Sequence, residues 1–291
     1  VEIEVVKFKS PLGNPEQIYV YVIDRKLIID GGFCSPTHSL ELHEYGVENC
    51  VITHHHIDHV GLVFFSDYRV MIHPREIGYI EIYSNPEKFI MAFSKLFASY
   101  GVGGRYEKTL EVLVSLNLKP KAKICNFSGL KDVRVVETPG HSPGHTAFLV
   151  DKCLFSGDLV LSDTTPNISF YPGYTSGVDD YLASLKKILE MEIDVVYPAH
   201  ERIIKNPEKR VYQLMEHCKK RAEEIYLAVE NTATLEEIAS RVNWSIGCYR
   251  DFDDLNKFMA LNETLAFLTY LERQGKIKRR IEDGVIKFTV C

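Results

Sequence analysis

The sequence predicts an α+β fold, on three observations. Strand-like runs come in two blocks, over residues 1–74 and 122–160. Helical runs separate and follow them, and the histidines and acids that carry chemistry fall where strand-like runs end. A chain of 291 residues with 45% apolar content can bury a large core and is generous in length for one domain, so a main domain with an appendage is expected.

Ile3 to Phe8 alternates apolar and polar residues as a half-buried strand does, and Ile18 to Ile23 and Lys26 to Asp30 continue the block. A helix from about Thr37 to Tyr45 interrupts it before the apolar runs Cys50 to Thr53 and Val70 to His73. Over 75–122 the pattern turns helical, with Phe89, Ile90, Phe93, Leu96, Phe97 and Tyr100, then Leu110, Val112, Leu113 and Leu116, at helical spacing. This reads as an insertion whose aromatic stripe is either an apolar lid over a site or a packing or dimer face. Strands return from Ala122 to Val160, and a helix at about Asp179 to Glu190 leads to the buried-looking strand Val195-Val196-Tyr197-Pro198.

From about 206 the texture changes. A long helix (about Pro207 to Val229) precedes a short one opened by the capping-box pair Thr234 and Glu237. A third helix carries Phe258, Leu261, Leu265, Leu268 and Leu271, and a hairpin then crosses Asp283-Gly284. Helices followed by a hairpin predict a small winged-helix-like domain over 206–291, after a main domain over 1–205. Fourteen basic residues meet fourteen acidic ones over 208–291, so nucleic-acid binding is not favoured despite the run Lys276-Ile277-Lys278-Arg279-Arg280. A packing or dimerisation appendage is the plainer reading.

The chemistry concentrates in Thr53-His54-His55-His56-Ile57-Asp58-His59, directly after the apolar run Cys50-Val51-Ile52. Alternate residues of a strand end point the same way, so His54 and His56 can reach one metal ion, while Asp58 and His59, past the turn, can reach a second. Three more candidates sit at strand ends: His145 in Pro139-Gly140-His141-Ser142-Pro143-Gly144-His145, Asp158 after Phe155-Ser156-Gly157, and His200 after Tyr197-Pro198-Ala199. Asp158 can offer one oxygen to each of two cations. His55 should face the opposite side of the strand, and His141 either donates to a substrate or closes its turn. Asn167, Tyr171 and Tyr174 lie on a loop that starts five residues after Asp158 and are candidates for contact with a substrate.

In this order the residues resemble the metallo-beta-lactamase superfamily of dinuclear metallohydrolases, whose members share His-x-His-x-Asp-His, a Gly-x-x-His turn, a bridging Asp and a final His. The resemblance covers about residues 1–205 and implies an αββα sandwich, two sheets face to face with helices outside. It implies His54, His56 and His145 on one ion, Asp58, His59 and His200 on the other, Asp158 between them, and Asp30 supporting the ligand histidines from behind. With its tail, the chain is similar to the beta-lactamase-like group that includes glyoxalase-like hydrolases and single-strand endoribonucleases. The two divalent ions so implied are zinc, with iron or manganese suiting the same donors, and a hydroxide bridging them is the expected nucleophile, which Asp58 can orient.

Other classes fall away. A net charge of −6 advertises no polyanionic partner, and no apolar run approaches membrane-spanning length. The start Val1 to Val6 alternates like a strand and lacks a signal-peptide profile. Seven cysteines, odd in number and without CxxC spacing, read as free thiols of a reducing compartment. The sequence therefore points to a cytoplasmic dinuclear hydrolase of a small ester or thioester, glyoxalase-like, with a small-molecule acyl substrate, no membrane partner, and homodimerisation left open. A single-strand-specific endoribonuclease is the second reading and a non-catalytic metal-binding protein the third.

Overall fold

Alternation sends a strand's side chains to two faces, and here both faces are apolar, so each sheet must be covered twice. The computed structural model describes residues 1–11, 15–114 and 118–291 and, within these, every side chain but those of Val112 and Leu113. One sheet runs in chain order through β1 (Ile3–Lys9), β2 (Gln17–Ile23), β3 (Leu27–Ile29), β4 (Asn49–Val51), β5 (Arg69–Met71) and β6 (Lys123–Cys125), antiparallel as far as β3 and parallel beyond it. The other is β7 (Arg134–Glu137), β8 (Thr146–Val150), β9 (Cys153–Gly157) and β10 (Val195–Pro198), with β9 and β10 parallel. Tyr21, Ile29, Val51 and Met71 of the first sheet pack against Phe148, Val150 and Phe155 of the second. The alternate residues Val20, Val22, Ile28 and Cys50 pack outward with Leu42 of α1 (Pro36–His43) and Leu62 and Phe64 of α2 (Gly61–Phe65). The fold is the expected sandwich. Its β3, β4, β9 and β10 all deliver their C-terminal ends to one rim, where the candidate ligands lie.

Between β5 and β6, α3 (Pro74–Ile80), α4 (Pro86–Ser99) and α5 (Glu107–Val114) form the expected helical insertion. The α4 part of its aromatic stripe is packing, whereas Tyr79 of α3 stacks on His55 at 4.6 Å and meets Tyr171 at 5.1 Å. Phe93 and Phe97 meet Phe258 at ring-centroid distances of 5.9 and 5.5 Å, and Tyr100 stacks on Phe288 at 5.8 Å. Large rings gain most where both faces leave water, which the C-terminal third provides and a lid over polar ligands does not. Leu116, with the side chains of Val112 and Leu113, lies outside the described residues.

The outer face of the second sheet is covered by α6 (Gly177–Leu189) through Val178, Tyr181, Leu185 and Ile188. After β10 come α7 (Pro207–Val229), β11 (Thr232–Thr234), α8 (Leu235–Arg241), α9 (Asp254–Arg273), β12 (Ile277–Glu282) and β13 (Val285–Val290), the last strands joining β11 in a small sheet ordered β11-β13-β12. Strand β11, Thr-Ala-Thr, carries no apolar run to signal it. The capping box at Thr234 forms, and Asp283 and Gly284, at φ 53° and 77°, make the left-handed turn of the hairpin. Val229, Leu235, Leu265 and Phe288 share one core with Val136 and Val196 of the second sheet. The basic run is partly consumed: Arg279 pairs with Glu272 at 2.8 Å, and Lys276 lies over the Tyr226 ring at 5.9 Å. All seven cysteines are free, and among the described residues no helix is long and apolar enough to cross a membrane.

Candidate metal centre

The site is built from a carboxylate behind it. Asp30 follows β3 in a left-handed conformation, φ 64°, which turns its side chain under the metal loop. Its Oδ1 accepts from the Thr53 N–H at 2.8 Å and the Thr53 hydroxyl at 2.9 Å, and its Oδ2 pairs with His59 Nδ1 at 2.9 Å. Thr53 Oγ1 in turn meets His54 Nδ1 at 3.0 Å. With their Nδ1 atoms engaged, His54 and His59 are left to present Nε2 to the cleft.

Around those two nitrogens the loops converge. His54 Nε2 lies 2.8 Å from His56 Nδ1 and 3.2 Å from His141 Nε2. Asp158 Oδ2 is 3.9 Å from His54 Nε2 and 3.7 Å from His141 Nε2, whereas its Oδ1 is 3.7 Å from His59 Nε2 and 3.4 Å from His200 Nε2. Asp58 Oδ2 completes the far side, 3.7 Å from His59 Nε2 and 3.3 Å from His200 Nε2. Two sets of donors result, His54, His56, His141 and Asp158 in one and Asp58, His59 and His200 in the other, each within 4.8 Å. Asp158 turns one oxygen to each set.

These residues fit divalent ions. His59 Nε2, His145 Nε2 and Asp158 Oδ1 are buried without a hydrogen-bond partner, a costly arrangement unless something else satisfies them, and imidazole with carboxylate suits zinc, iron and manganese alike. In the first set, burial and the neighbouring rings hold His54 and His56 well below the ordinary imidazole value, and burial lowers His141, a direction that favours the uncharged imidazole a metal ion requires. In the second set burial opposes charge but is outweighed: Asp30, Asp58 and Asp158 raise His59 to about 10, and Asp158 and Asp58 raise His200 to about 9. Burial also pushes Asp58 up, yet His59 and His200 pull it far below the usual carboxylate range.

His145, expected on the first ion, belongs to neither set. Its carbonyl accepts from the Thr138 N–H at 2.9 Å, extending the β7–β8 ladder, and its Nδ1 pairs with the Thr138 hydroxyl at 2.9 Å. His141 is the histidine of this turn that lies within the first donor set, while His145 Nε2 stays buried beside Gly157 without a hydrogen-bond partner. Gly140, at φ 137°, turns the chain just before His141, whose Nδ1 donates to the Asn167 carbonyl at 2.8 Å, leaving Nε2 for the cleft. The segment Gly-His-Ser-Pro-Gly-His offers two histidines, and spacing alone does not choose between them. Behind them, Gly157 at φ 50° lets β9 pass close to the metal loop, for a Cβ there would sit 2.8 Å from Thr53 and 2.9 Å from His145 Nε2.

Three supporting carboxylates have no motif to announce them. Glu76, wholly buried at the start of α3, accepts from the His55 N–H and the Ser142 hydroxyl, each at 2.9 Å, and from the Gly144 N–H, and it pairs with His55 Nδ1. It ties the metal loop to the 139–145 turn, and His55 faces away from both donor sets. Glu201, at φ 69°, accepts from the Thr164 N–H at 3.1 Å and the Ser162 hydroxyl at 3.2 Å, anchoring the loop after Asp158, while His200 Nδ1 donates to the Gln17 carbonyl at 2.8 Å. Glu263 of α9 accepts from Asn167 Nδ2 at 2.9 Å. The candidate substrate residues are engaged with protein: the Tyr171 hydroxyl meets His56 Nε2 at 3.0 Å, and that of Tyr174 donates to Asp180 at 2.8 Å.

Residues 13–200 match the family model of the metallo-beta-lactamase superfamily. The chain belongs to that superfamily. Among curated relatives it is similar to the probable metallo-hydrolase YqjP of Bacillus subtilis, 24% identical over 83% of this chain and 80% of that protein. It is also similar to the atrochrysone carboxyl ACP thioesterase of Aspergillus fumigatus, 25% identical over 65% of this chain, and to a hydroxyacylglutathione hydrolase of Shewanella loihica, 27% identical over 56%. The chain spans about half the length of these last two, 49% and 51%. Among solved structures, a metallo-beta-lactamase family protein of Thermus thermophilus matches with a TM-score of 0.79 at 24% identity, over 99% of this chain and 98% of that one. A beta-lactamase domain protein of Burkholderia ambifaria matches with a TM-score of 0.78 at 24% identity, over 99% and 92%. At such identity the likeness concerns the metallo-beta-lactamase fold.

Proposed function

We propose that this superfamily member is a dinuclear metal-dependent hydrolase of small acyl thioesters or esters, glyoxalase-like in its chemistry. The observation that carries the reading is Asp158, whose two oxygens face two separate donor sets. His54, His56, His141 and Asp158 would hold one ion, and Asp58, His59, His200 and Asp158 the other, with zinc, iron or manganese suiting the donors. Bound ions supply Lewis acidity towards an acyl carbonyl and activate water at neutral pH. Asp58, with 17% of its side chain exposed at the cleft, can accept a hydrogen bond from that water and orient it. Thr53, Asp30, Asn167 and Tyr171 hold His54, His59, His141 and His56 respectively in place, so little reorganisation accompanies reaction.

A leaving thiolate needs little protonation, since thiols ionise near pH 8.5, which suits a site whose Tyr171 hydroxyl is already committed to His56. Two relatives are named as a thioesterase and a hydroxyacylglutathione hydrolase, which supports the same substrate class. A cysteine nucleophile is disfavoured, because burial, then the nearby Asp58, pushes the Cys34 thiol far up. Residues 206–291 are read as a winged-helix-like unit that packs on the sandwich, and free thiols suit a reducing, cytoplasmic setting. The test is a panel of acyl thioesters, a lactone and single-stranded RNA on zinc-, iron- and manganese-loaded protein. Thioester turnover should stop with a chelator and return with metal. RNA cleavage lost in His56→Ala, or chelator-resistant hydrolysis, would overturn the proposal.

A further inference from the structure

One line of contacts runs from the C-terminal helices into the candidate metal centre. Arg221 of α7 is buried under the Trp244 ring at 4.6 Å, and its Nε lies 3.2 Å from Glu263 of α9. The other Glu263 oxygen accepts from Asn167 Nδ2 at 2.9 Å. Asn167 Oδ1 accepts from the Ser169 hydroxyl at 2.6 Å, so the amide can only turn its NH2 towards Glu263. The backbone carbonyl of that same Asn167 receives the His141 Nδ1–H at 2.8 Å, and its loop carries the Tyr171 hydroxyl to His56. Two of the three histidines in the first donor set thus rest on a loop that α9 pins.

We infer that Glu263 is a positioning residue for the metal centre: through Asn167 it fixes the ring of His141, so that α9 controls how well the first donor set is arranged. The geometry favours this over a purely structural ion pair. A buried Arg–carboxylate pair is weak support for stability and is often replaceable by apolar packing, whereas here its free oxygen is spent on the residue that orients a candidate ligand. Outer partners of ligating histidines commonly change metal affinity by roughly ten- to a hundredfold when removed.

The inference rests on the metal reading above, and cobalt(II) titration of the full chain after chelation separates the two. Wild-type protein should take up cobalt with a visible absorption spectrum that reports the ligand geometry. Glu263→Ala should weaken uptake by about tenfold and change that spectrum, and Asn167→Ala should do the same even if the first variant fails to fold. Glu263→Gln, which keeps an oxygen for Asn167 Nδ2, should restore both. As a control, Thr269→Ala on the same buried helix removes a 2.8 Å bond to the Leu265 carbonyl and should lower the melting temperature without touching cobalt affinity or spectrum. Wild-type affinity and spectrum in Glu263→Ala and Asn167→Ala would overturn the inference, as would equal weakening in Thr269→Ala. A wild-type protein that takes up no cobalt overturns the metal reading itself, and this inference with it.

Discussion

Glu76 and Glu263 both brace loops of the candidate site, and their surroundings differ. Glu76, from the insertion, is met by two backbone N–H groups, a hydroxyl and His55, so burial raises its pKa but His55 and these hydrogen bonds outweigh it and bring it down to about 2. Glu263, from the C-terminal third, has one amide and one guanidinium; burial wins there, against Arg221 and Asn167, and lifts it to about 7. What a buried carboxylate does to stability is set by how many fixed donors surround it, with burial common to both cases.

Both buttresses act on the 139–145 turn, so the largest effect should come from that turn itself. His141→Ala should lose metal from the first donor set and at least roughly a hundredfold in activity, since metal activation of the substrate is worth several kcal/mol. His145→Ala should keep its metal and lose mainly stability. Elemental analysis of the two variants would reverse this assignment if the losses were exchanged.

Next in size, Glu76→Ala should destabilise by about 3–5 kcal/mol, because it strands the partners of a buried charge. The pH dependence follows from the depressed pKa. The stabilisation by Glu76 is complete above its ordinary value of 4.5 and is lost as pH falls towards 2, so the acid limb of a stability curve should flatten in Glu76→Gln. Glu263→Gln should show the opposite sign. The folded state holds a proton that the unfolded chain releases between pH 4.5 and about 7, so wild-type stability falls as pH rises through that interval. Arg221 and Glu224 face Glu263 from α7, and His217 and Cys218 of α7 line the same small void with Tyr181 of α6. The stability of Glu263→Gln relative to wild type should therefore improve by up to about 3 kcal/mol from pH 4 to pH 8 in denaturant titrations. A flat difference would place the Glu263 pKa near the ordinary value and remove the contrast with Glu76.

The smallest effect belongs to the basic run that opens the C-terminal hairpin. Replacing Lys276, Lys278, Arg279 and Arg280 together by Gln should leave thioester turnover within about twofold and produce no RNA phenotype, as fits a surface whose charges are balanced. Loss of salt-sensitive RNA binding in that variant would give the tail a role of its own.

The gathering of His54, His56, Asp58 and His59 is legible in the sequence because chain neighbours at a strand end share a rim whatever the rest of the fold does. Asp158 and His200 are legible because each follows a short strand-like apolar run. The choice between His141 and His145 is not, since it depends on a hydroxyl at Thr138 and a carbonyl at Asn167 that come near only after folding. Glu76, Glu201 and Glu263 carry no local pattern at all, because a carboxylate's partners are selected by tertiary placement. The same limit explains the aromatic stripe: its helical spacing is plain, but its partners Phe258 and Phe288 are far along the chain.

That distance has a consequence for how the molecule is made. The α4 stripe leaves the ribosome long before the residues that will cover it, so the nascent chain carries an exposed aromatic face until Phe258 of α9, and then Phe288 of β13, have been synthesised. Closing so large a loop is slow, and in the interval that face is open to chaperones, proteases and other nascent chains until α9 and β13 dock on it.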